Sequence, residues 1–240
     1  MVTPAPTALA VDLGSGAVGV WAARRGTVSG PCGEELASAG TLVRRGRVVD
    51  TEGCAEVLRR LVRRYPDPVP AGGVVAVCRP VLAGAPDQAA MRRVLDEVFQ
   101  PSRVVFIDTV RAAAIGSGAA AGTLLVADLG AQLTELALLD RGRVVTARRA
   151  DIGTRDLARG ATVDLLAGTV ARQFEDLRAP DSAVRRGMLL VGDGATHPEL
   201  PAALSAALRV RVHRAASPHT AALNGAGLAA MSLLRHPAQT

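Results

Sequence analysis

Apolar residues in this chain come in short runs separated by glycine- or proline-rich turns, and this pattern predicts the same series of elements twice. In the first half, three strands, a helix, a strand, a helix, a strand and a helix are expected over 7–12, 17–24, 41–49, 52–65, 73–78, 86–99, 103–108 and 110–118. In the second half, the same order is expected over 123–128, 133–139, 143–150, 154–178, 187–192, 198–208, 209–213 and 217–234. The region 29–40 is expected to be a loop, and Ser217 is expected to cap the last helix.

A sequence repeat supports this duplication. The stretch LAVDLGSGAVGVWAARRGTV (9–28) matches LLVADLGAQLTELALLDRGRV (124–144) when the chain is shifted by 116 residues, the separation of Asp12 from Asp128. Each copy predicts a buried strand, a turn at Asp-Leu-Gly and a second strand. We therefore expect residues 1–122 and 123–240 to form two α/β halves that face each other across a cleft, each presenting one such hairpin.

Glycine turns of this kind let backbone N–H groups approach an anion closely, because no Cβ stands in the way. An aspartate at the end of the preceding strand repels a phosphate, but it can hold a hydrated Mg²⁺ that bridges to one. A third turn, Gly192-Asp193-Gly194, follows a predicted strand and precedes a predicted helix. One turn alone is more typical of an ordinary hairpin. Three in order within a duplicated fold favour a nucleoside triphosphate with its metal ion.

Composition excludes several classes of function. The chain of 240 residues is 49% hydrophobic, which indicates a folded core, and its 28 basic residues are all arginine. Because lysine is absent from the sequence, a Walker-A phosphate loop, a pyridoxal Schiff base and a lysine nucleophile are excluded. The net charge is +6, but the arginines are dispersed and aromatic residues make up only 2%, so nucleic-acid binding is not expected.

The cysteines indicate reduced thiols, and the uncharged segments indicate tight packing in place of a membrane span. Cys32, Cys54 and Cys78 lie far apart, as expected for reduced and partly buried thiols of a cytoplasmic protein. The four histidines show no metal-ligand spacing. Two uncharged stretches, 112–127 and 215–234, are rich in glycine and alanine, so tight packing is expected for them in place of a membrane span.

The motifs resemble those of the superfamily of actin, heat-shock chaperone ATPases and sugar kinases, and within it the bacterial actin MreB. AVDLGSG (10–16) resembles the first phosphate motif, and LLVADLGAQLTELAL (124–138) resembles the second, including its Thr-Glu pair. VVFIDTVRAAAIGSG (104–118) is similar to the connecting motif. GMLLVGDGATHPEL (187–200) and ASPHTAALNGAG (216–227) resemble the adenosine motif and the helix behind it. The resemblance covers nearly the whole chain.

The resemblance implies an α/β, actin-like ATPase fold with two ribonuclease-H-like halves around a nucleotide cleft, and it implies ATP and Mg²⁺ as ligands. A reduced form is implied, because 29–50 and 151–186 leave little room for the two small outer subdomains. Asp12 and Asp128 are assigned to Mg²⁺ through water. The implied nucleotide-binding residues are Gly14, Ser15, Gly16, Gly130, Ala131, Thr134, Gly192, Asp193 and Gly194.

Departures from the family motifs bear on catalysis. The second phosphate loop has Ala131, Gln132 and Leu133 where the family has small residues, and these side chains are expected to crowd a phosphate. In the connecting motif, Asp108 and Thr109 replace two glutamates, the second of which orients the attacking water in the family. A threonine cannot act as a general base at neutral pH, and the aspartate is shorter and one position away. We therefore expect at most a slow ATPase, with these two as its candidate catalytic residues.

Three functions stay open at this point. The first is an MreB-type cytoskeletal protein that binds ATP weakly, associates with itself or with a longer MreB-type protein, and serves cell shape or wall synthesis. The second is a degenerate, nucleotide-free module for protein interaction. The third, less favoured, is a small sugar kinase, since the outer subdomains usually shape the acceptor pocket. A cytoplasmic location is expected, and the basic helix face over 57–65 leaves membrane contact open.

Overall fold

The computed structural model describes residues 7–32 and 41–235, which form two five-stranded sheets with helices packed on them. The elements of the first half are β1 (Ala8–Leu13), β2 (Ala17–Ala22), β3 (Gly26–Pro31), β4 (Val43–Arg44), β5 (Arg47–Val48), α1 (Thr51–Val62), β6 (Val74–Arg79), α2 (Ala85–Phe99), β7 (Arg103–Asp108) and α3 (Thr109–Gly116). Those of the second half are β8 (Thr123–Leu129), β9 (Thr134–Asp140), β10 (Arg143–Ala150), α4 (Thr154–Leu157), α5 (Val163–Leu177), α6 (Asp181–Arg186), β11 (Met188–Val191), a 3₁₀ turn (Asp193–Thr196), α7 (Leu200–Leu208), β12 (Val212–Arg214) and α8 (Ala221–Arg235).

The two sheets have the same topology. Their strand orders are β3-β2-β1-β6-β7 and β10-β9-β8-β11-β12, with antiparallel hairpins on one side and parallel strands on the other. The first hairpins also share one register, since Asp12 pairs with Gly19 and Asp128 pairs with Glu135, a partner 116 residues further on. The predicted α/β fold of two duplicated halves is therefore confirmed, down to the pairing of individual residues.

The third strand of the first sheet lies earlier than the sequence predicts. It is Gly26–Pro31, although part of this segment was expected to be loop, and it pairs with β2 along its whole length. The expected strand within 41–49 is instead the separate β4–β5 hairpin, whose turn residues Arg45 and Gly46 have φ of +50° and +73°. Strand β3 contains two glycines, a serine and a proline, so its pairing partner rather than its own sequence makes it a strand. The rest of the expected loop, 33–40, lies outside the described residues.

Three boundaries in the second half also differ from prediction. The helical region expected over 154–178 is two helices, because Gly160 has a φ of +101° and the Thr162 hydroxyl caps α5 at the amide of Leu165. The strand expected over 209–213 is Val212–Arg214, since a left-handed residue ends α7. The last helix begins at Ala221, not after a Ser217 cap, because 217–220 form a turn.

The chain divides into two compact units. Unit 1 contains Met1–Arg79, Ala83–Ile107 and Leu223–Thr240, and unit 2 contains Pro80–Leu82 and Asp108–Ala222. Helix α3 therefore belongs to the unit of the second sheet, and nearly all of α8 belongs to the unit of the first. The division at residues 122 and 123, drawn from the repeat, remains a prediction.

Each unit has its own apolar core. In unit 1 the core joins the β-hairpin strands to α1 and α2, and α8 packs directly on β2. In unit 2 the core joins β8, β9 and β11 to α5 and α7. All three cysteines are buried in unit 1 and carry no disulfide, as their spacing predicts. Among the described residues, no helix has the length and apolar character needed to cross a membrane.

Candidate functional site

The first hairpin turn, in unit 1, needs glycine at its first position. A Cβ on Gly14 would lie 2.7 Å from the carbonyl oxygen of Ala17, which is too close for any side chain. Ser15 is buried, and the Gly16 carbonyl accepts a hydrogen bond from the amide of Cys32 at 3.0 Å. Asp12 is half-buried at the end of β1. The turn is thus compact, and its side chains are small.

The second hairpin, in unit 2, carries a more tightly held pair of polar residues. Its turn is closed by the amide of Gly130, which donates to the Leu133 carbonyl at 2.9 Å. The Thr134 hydroxyl is fully buried and donates to the Ile152 carbonyl at 2.7 Å. The carboxylate of Glu135 is buried and accepts a hydrogen bond from the amide of Val81. Both members of the Thr-Glu pair therefore hold neighbouring backbone segments in unit 2.

The loop between β8 and β9 is hydrogen-bonded to the start of α4. The carbonyls of Gly130 and Ala131 accept hydrogen bonds from the amides of Thr154 and Arg155 at 3.0 and 2.8 Å. A Cβ on Gly153 would lie 2.4 Å from the Gly130 carbonyl oxygen, so glycine is required there for this approach. The side chains of Ala131 and Leu133 are themselves buried, at 4% and 8% exposed. The side chains of Ala131 and Leu133 therefore contribute to packing, a role that the family motif did not indicate.

The glycine turn after β11 lies directly against the second hairpin. Strands β8 and β11 are parallel neighbours with Asp128 paired to Val191, so their carboxyl ends meet at one edge of the sheet. Gly192 has a φ of +81°, and a Cβ on it would lie 2.3 Å from Oδ1 of Asp128. A Cβ on Gly194 would lie 2.5 Å from the Cβ of Leu129. The structure thus brings together two of the three glycine motifs within unit 2.

A polar cluster adjoins this turn. Asp193 accepts from Nδ1 of His219 at 3.2 Å, and the other ring nitrogen of His219 lies 3.3 Å from the Thr196 hydroxyl. The Pro218 carbonyl accepts from the amide of Gly192 at 3.0 Å. The turn over 217–220 therefore supports the glycine turn from the side, and this is the reason that α8 starts late.

The connecting motif places its two candidate catalytic residues at the start of α3. Asp108 is the half-buried residue before the helix, and its side chain does not cap the helix. Thr109 is the first helical residue and is 8% exposed. Helix α3 packs on β8 and β9, the strands of the second hairpin. Thr109 is therefore held in a buried position, and a threonine hydroxyl cannot act as a general base at neutral pH.

Each unit offers one carboxylate of the kind that suits a hydrated Mg²⁺. Within 7–32 and 41–235, no group of three or more histidine, cysteine, aspartate or glutamate side chains is placed to hold a metal ion directly. Asp12 and Asp128 are half-buried carboxylates at the ends of equivalent strands, and backbone cradles that a Cβ would fill adjoin each one. Such carboxylates suit a hydrated Mg²⁺, which is commonly bound by one or two carboxylates together with phosphate.

Sequence reasoning missed two residues of this site. Gly153 lies in the short link between a predicted strand and a predicted helix, and the contact that requires it lies more than twenty residues back along the chain. His219 stands in a segment predicted to be the first turn of a helix, where a role beside Asp193 could not be foreseen. A glycine directly before a predicted helix start is the one signal that could have drawn attention to Gly153.

Three solved structures show where this architecture occurs. MreB 5 of Spiroplasma citri, bound to AMPPNP, has a TM-score of 0.83 and 14% identity, covering 98% of this chain and 99% of that chain. The ethanolamine utilization protein EutJ from Carboxydothermus hydrogenoformans has a TM-score of 0.72 and 17% identity, covering 94% and 90%. The PilM–PilN type IV pilus biogenesis complex gives a TM-score of 0.67 and 15% identity, covering 95% and 99%.

These matches are similarities of three-dimensional structure. No protein-family model matches the sequence, and no curated protein matches it. At such low identities, the solved structures establish the fold and leave the activity to the chemistry of the site. The chain therefore has the actin-like ATPase fold of MreB, EutJ and PilM, and its 240 residues fit a reduced form of that fold.

Proposed function

We propose that this chain is an MreB-like actin homologue, a cytoskeletal or morphogenetic protein that binds ATP with Mg²⁺ weakly and hydrolyses it slowly or not at all. The observation that carries the proposal is the approach of the Gly192 backbone to the Asp128 carboxylate, at the joined carboxyl ends of β8 and β11. Ligands of α/β sheets bind at such strand ends. The AMPPNP bound to MreB 5 supports a nucleotide as the ligand of this fold.

In this proposal the residues divide into three groups. Asp12 and Asp128 hold Mg²⁺ through water, and the ion supplies positive charge to the phosphates. Gly192, Asp193 and Gly194 receive the base and ribose. The residues that face the phosphates are Gly14, Ser15, Gly16, Gly130, Ala131 and Thr134.

Hydrolysis is proposed to be slow because neither of the two candidate catalytic residues is a good base for an attacking water. Thr109 is buried and cannot accept a proton at neutral pH, and Asp108 stands one position away. Ala131 also keeps a side chain where a closer backbone approach to the γ-phosphate would need glycine.

Calorimetry tests nucleotide binding directly. Wild type titrated with ATP should release heat that depends on Mg²⁺ and saturates near about 1 mM ATP. Gly192→Ala should abolish this heat, since its Cβ would collide with Asp128. Gly160→Ala is the matched control: Gly160 also has a positive φ in unit 2, but a Cβ there meets nothing within 4 Å. Absence of heat and of a thermal shift at millimolar ATP would overturn the nucleotide proposal.

A second candidate is a nucleotide-free module for protein interaction. It is favoured by the second loop, where the amide of Gly130 already donates to the Leu133 carbonyl at 2.9 Å and is not available to a phosphate. PilM occurs in a complex with PilN, so a protein of this fold can serve assembly. Failure of the calorimetric titration, with the fold intact, would select this candidate. A sugar kinase is the least favoured, and phosphorylation of any sugar in a panel would revive it.

Assembly and location complete the proposal. We propose self-association, or association with a longer MreB-type protein or with morphogenesis and wall-synthesis proteins, in the cytoplasm. Light scattering with and without ATP–Mg²⁺ tests self-association. Sedimentation with anionic vesicles tests membrane contact, for which the exposed Arg60 of α1 and the exposed Arg63 and Arg64 just after it are the candidate surface.

A further inference from the structure

A small groove lies in unit 1, between the β2–β3 turn and the last turns of α8. Its volume is about 300 Å³. Its apolar lining comes from Trp21, Leu228 and Met231, and Arg24 and Arg235 stand in its wall. A volume of this size, at the lower limit of ligand sites, accepts one or two apolar side chains and is too small for a cofactor.

Glycines on α8 and β2 shape this groove. A Cβ on Gly227 would lie 2.5 Å from the Trp21 ring, so the indole rests directly on the backbone of α8. A Cβ on Gly19 would likewise collide with the Leu223 side chain at 2.7 Å. The helix is therefore held close to the strand. Leu228, the next residue along α8, remains 55% exposed and projects from this contact without apolar cover.

The groove is positively charged, and none of the described residues that line it is acidic. The segments that form it, 17–31 and 221–235, contain no aspartate or glutamate. Arg24 and Arg235 are exposed, and neither side chain makes a hydrogen bond or ion pair with any residue of 7–32 or 41–235. Arg24 is held in a left-handed conformation at φ +65°, which fixes its backbone in the turn. Two guanidinium groups thus flank an apolar floor.

We propose that this groove docks an acidic amphipathic segment of a partner protein. An apolar side chain of that segment enters between Trp21, Leu228 and Met231, and its carboxylates bind Arg24 and Arg235. Tryptophan and arginine are the residue types that dominate binding energy at protein interfaces, and guanidinium groups pair with carboxylates in bidentate geometry. The charge of the groove selects an acidic partner, and its size selects a peptide side chain. The site is independent of the nucleotide proposal.

The test uses the full chain and a fluorescein-labelled peptide with a Leu-Phe-Leu core flanked by glutamates. Anisotropy should report saturable binding below millimolar peptide, and the emission of Trp21, the single tryptophan, should shift to shorter wavelength on burial. Arg24→Glu with Arg235→Glu should weaken binding about tenfold or more, because both pairs become repulsive. Leu228→Glu should weaken it similarly, and this exposed position tolerates the change.

The matched control is Arg92→Glu with Arg93→Glu, two exposed arginines on α2 that give the same change of net charge. It should alter affinity by less than about twofold. The proposal is overturned if the glutamate peptide does not bind at millimolar concentration, if a lysine-flanked peptide binds equally well, or if the control variant weakens binding as much. A wild-type dimer that Leu228→Glu converts to a monomer, without peptide binding, would assign the groove to a second copy of the chain and also overturn it.

Discussion

Residues 15–17 of the first hairpin are serine, glycine and alanine, whereas residues 131–133, at the same positions of the second hairpin, are alanine, glutamine and leucine. The strand registers on both sides are the same. Ala17 is exposed, while the equivalent Leu133 is buried. The duplication therefore preserved the strands and the aspartate, and the loops took different roles: the first stays small, and the second became part of a core.

The largest expected effect concerns the rate of hydrolysis. Thr109→Glu alone should change single-turnover phosphate release by less than about threefold, because the second loop stays unaltered. Thr109→Glu combined with Ala131→Gly, Gln132→Gly and Leu133→Thr should raise it by about 10–100-fold. A wild type that already hydrolyses ATP as fast as a full-length MreB would show that Asp108 or another group orients the attacking water.

Substitution of the equivalent loop residues Leu133 and Ala17 should change the free energy of unfolding by different amounts. Leu133→Ala removes a buried side chain and should lower the free energy of unfolding by about 2–4 kcal/mol. Ala17→Leu adds apolar atoms at an exposed site and should change it by less than about 0.5 kcal/mol. Urea denaturation followed by far-UV circular dichroism measures both. Equal costs would mean that the second loop is no more a part of a core than the first.

Alkaline pH should weaken unit 1 selectively. Burial raises the pKa of the Cys54 thiol from 9.0 to about 12, with smaller contributions from Cys32 and Asp50, and burial raises the pKa of Tyr65 from 10.0 to about 12. The unfolded chain loses these protons first, so their stabilisation is complete below pH 9 and is lost as pH rises from 9 to 12. Urea titrations followed by Trp21 fluorescence, a reporter in unit 1, should show falling midpoints over this range.

The control for alkaline pH removes the two groups. Cys54→Val with Tyr65→Phe should flatten the pH dependence, and unit 2, which has neither cysteine nor tyrosine in its sequence, should give no comparable loss. A double variant that loses fluorescence-reported stability between pH 9 and 11 as steeply as wild type would contradict this assignment.

The smallest expected effect is a loss of stability that should be similar in the two halves. Gly26 and Gly142, which lie 116 residues apart at the hairpin tips, have φ of +80° and +72°. Neither faces a close obstacle, since a Cβ on Gly26 meets nothing within 4 Å and one on Gly142 lies 3.7 Å from the Ala120 carbonyl oxygen. Alanine at either position should cost about 1 kcal/mol from backbone strain alone. Thermal denaturation of the two variants should therefore give similar midpoints.

The parts of the fold that the sequence predicts are those encoded by local pattern. Buried apolar runs ending in Asp-Leu-Gly predict β1 and β8, and the repeat spacing predicts the matching register of their partners. Strand β3 was missed because glycine, serine and proline carry no strand preference and its pairing with β2 comes from the tertiary fold.

Parts of the candidate site depend on contacts that no local pattern reveals. The sequence motifs single out both Gly192 and Asp128. Their close approach, in which a Cβ on Gly192 would lie within 3 Å of the Asp128 carboxylate, follows from the pairing of β8 with β11. The requirement for Gly153 comes from the loop carbonyls that it faces. The turn over 217–220 exists because Pro218 accepts from Gly192, although Ser217 followed by proline is typical of a helix start.

The most direct test of the central claim is a crystal structure of the full chain grown with AMPPNP and Mg²⁺. We expect density for the nucleotide beside Asp128, with its phosphates toward Gly130 and its base toward Gly192 and Gly194, and an ion bound to the carboxylate through water. Crystals grown at saturating AMPPNP that show no nucleotide, or that show it away from the edge formed by β8 and β11, would contradict the claim.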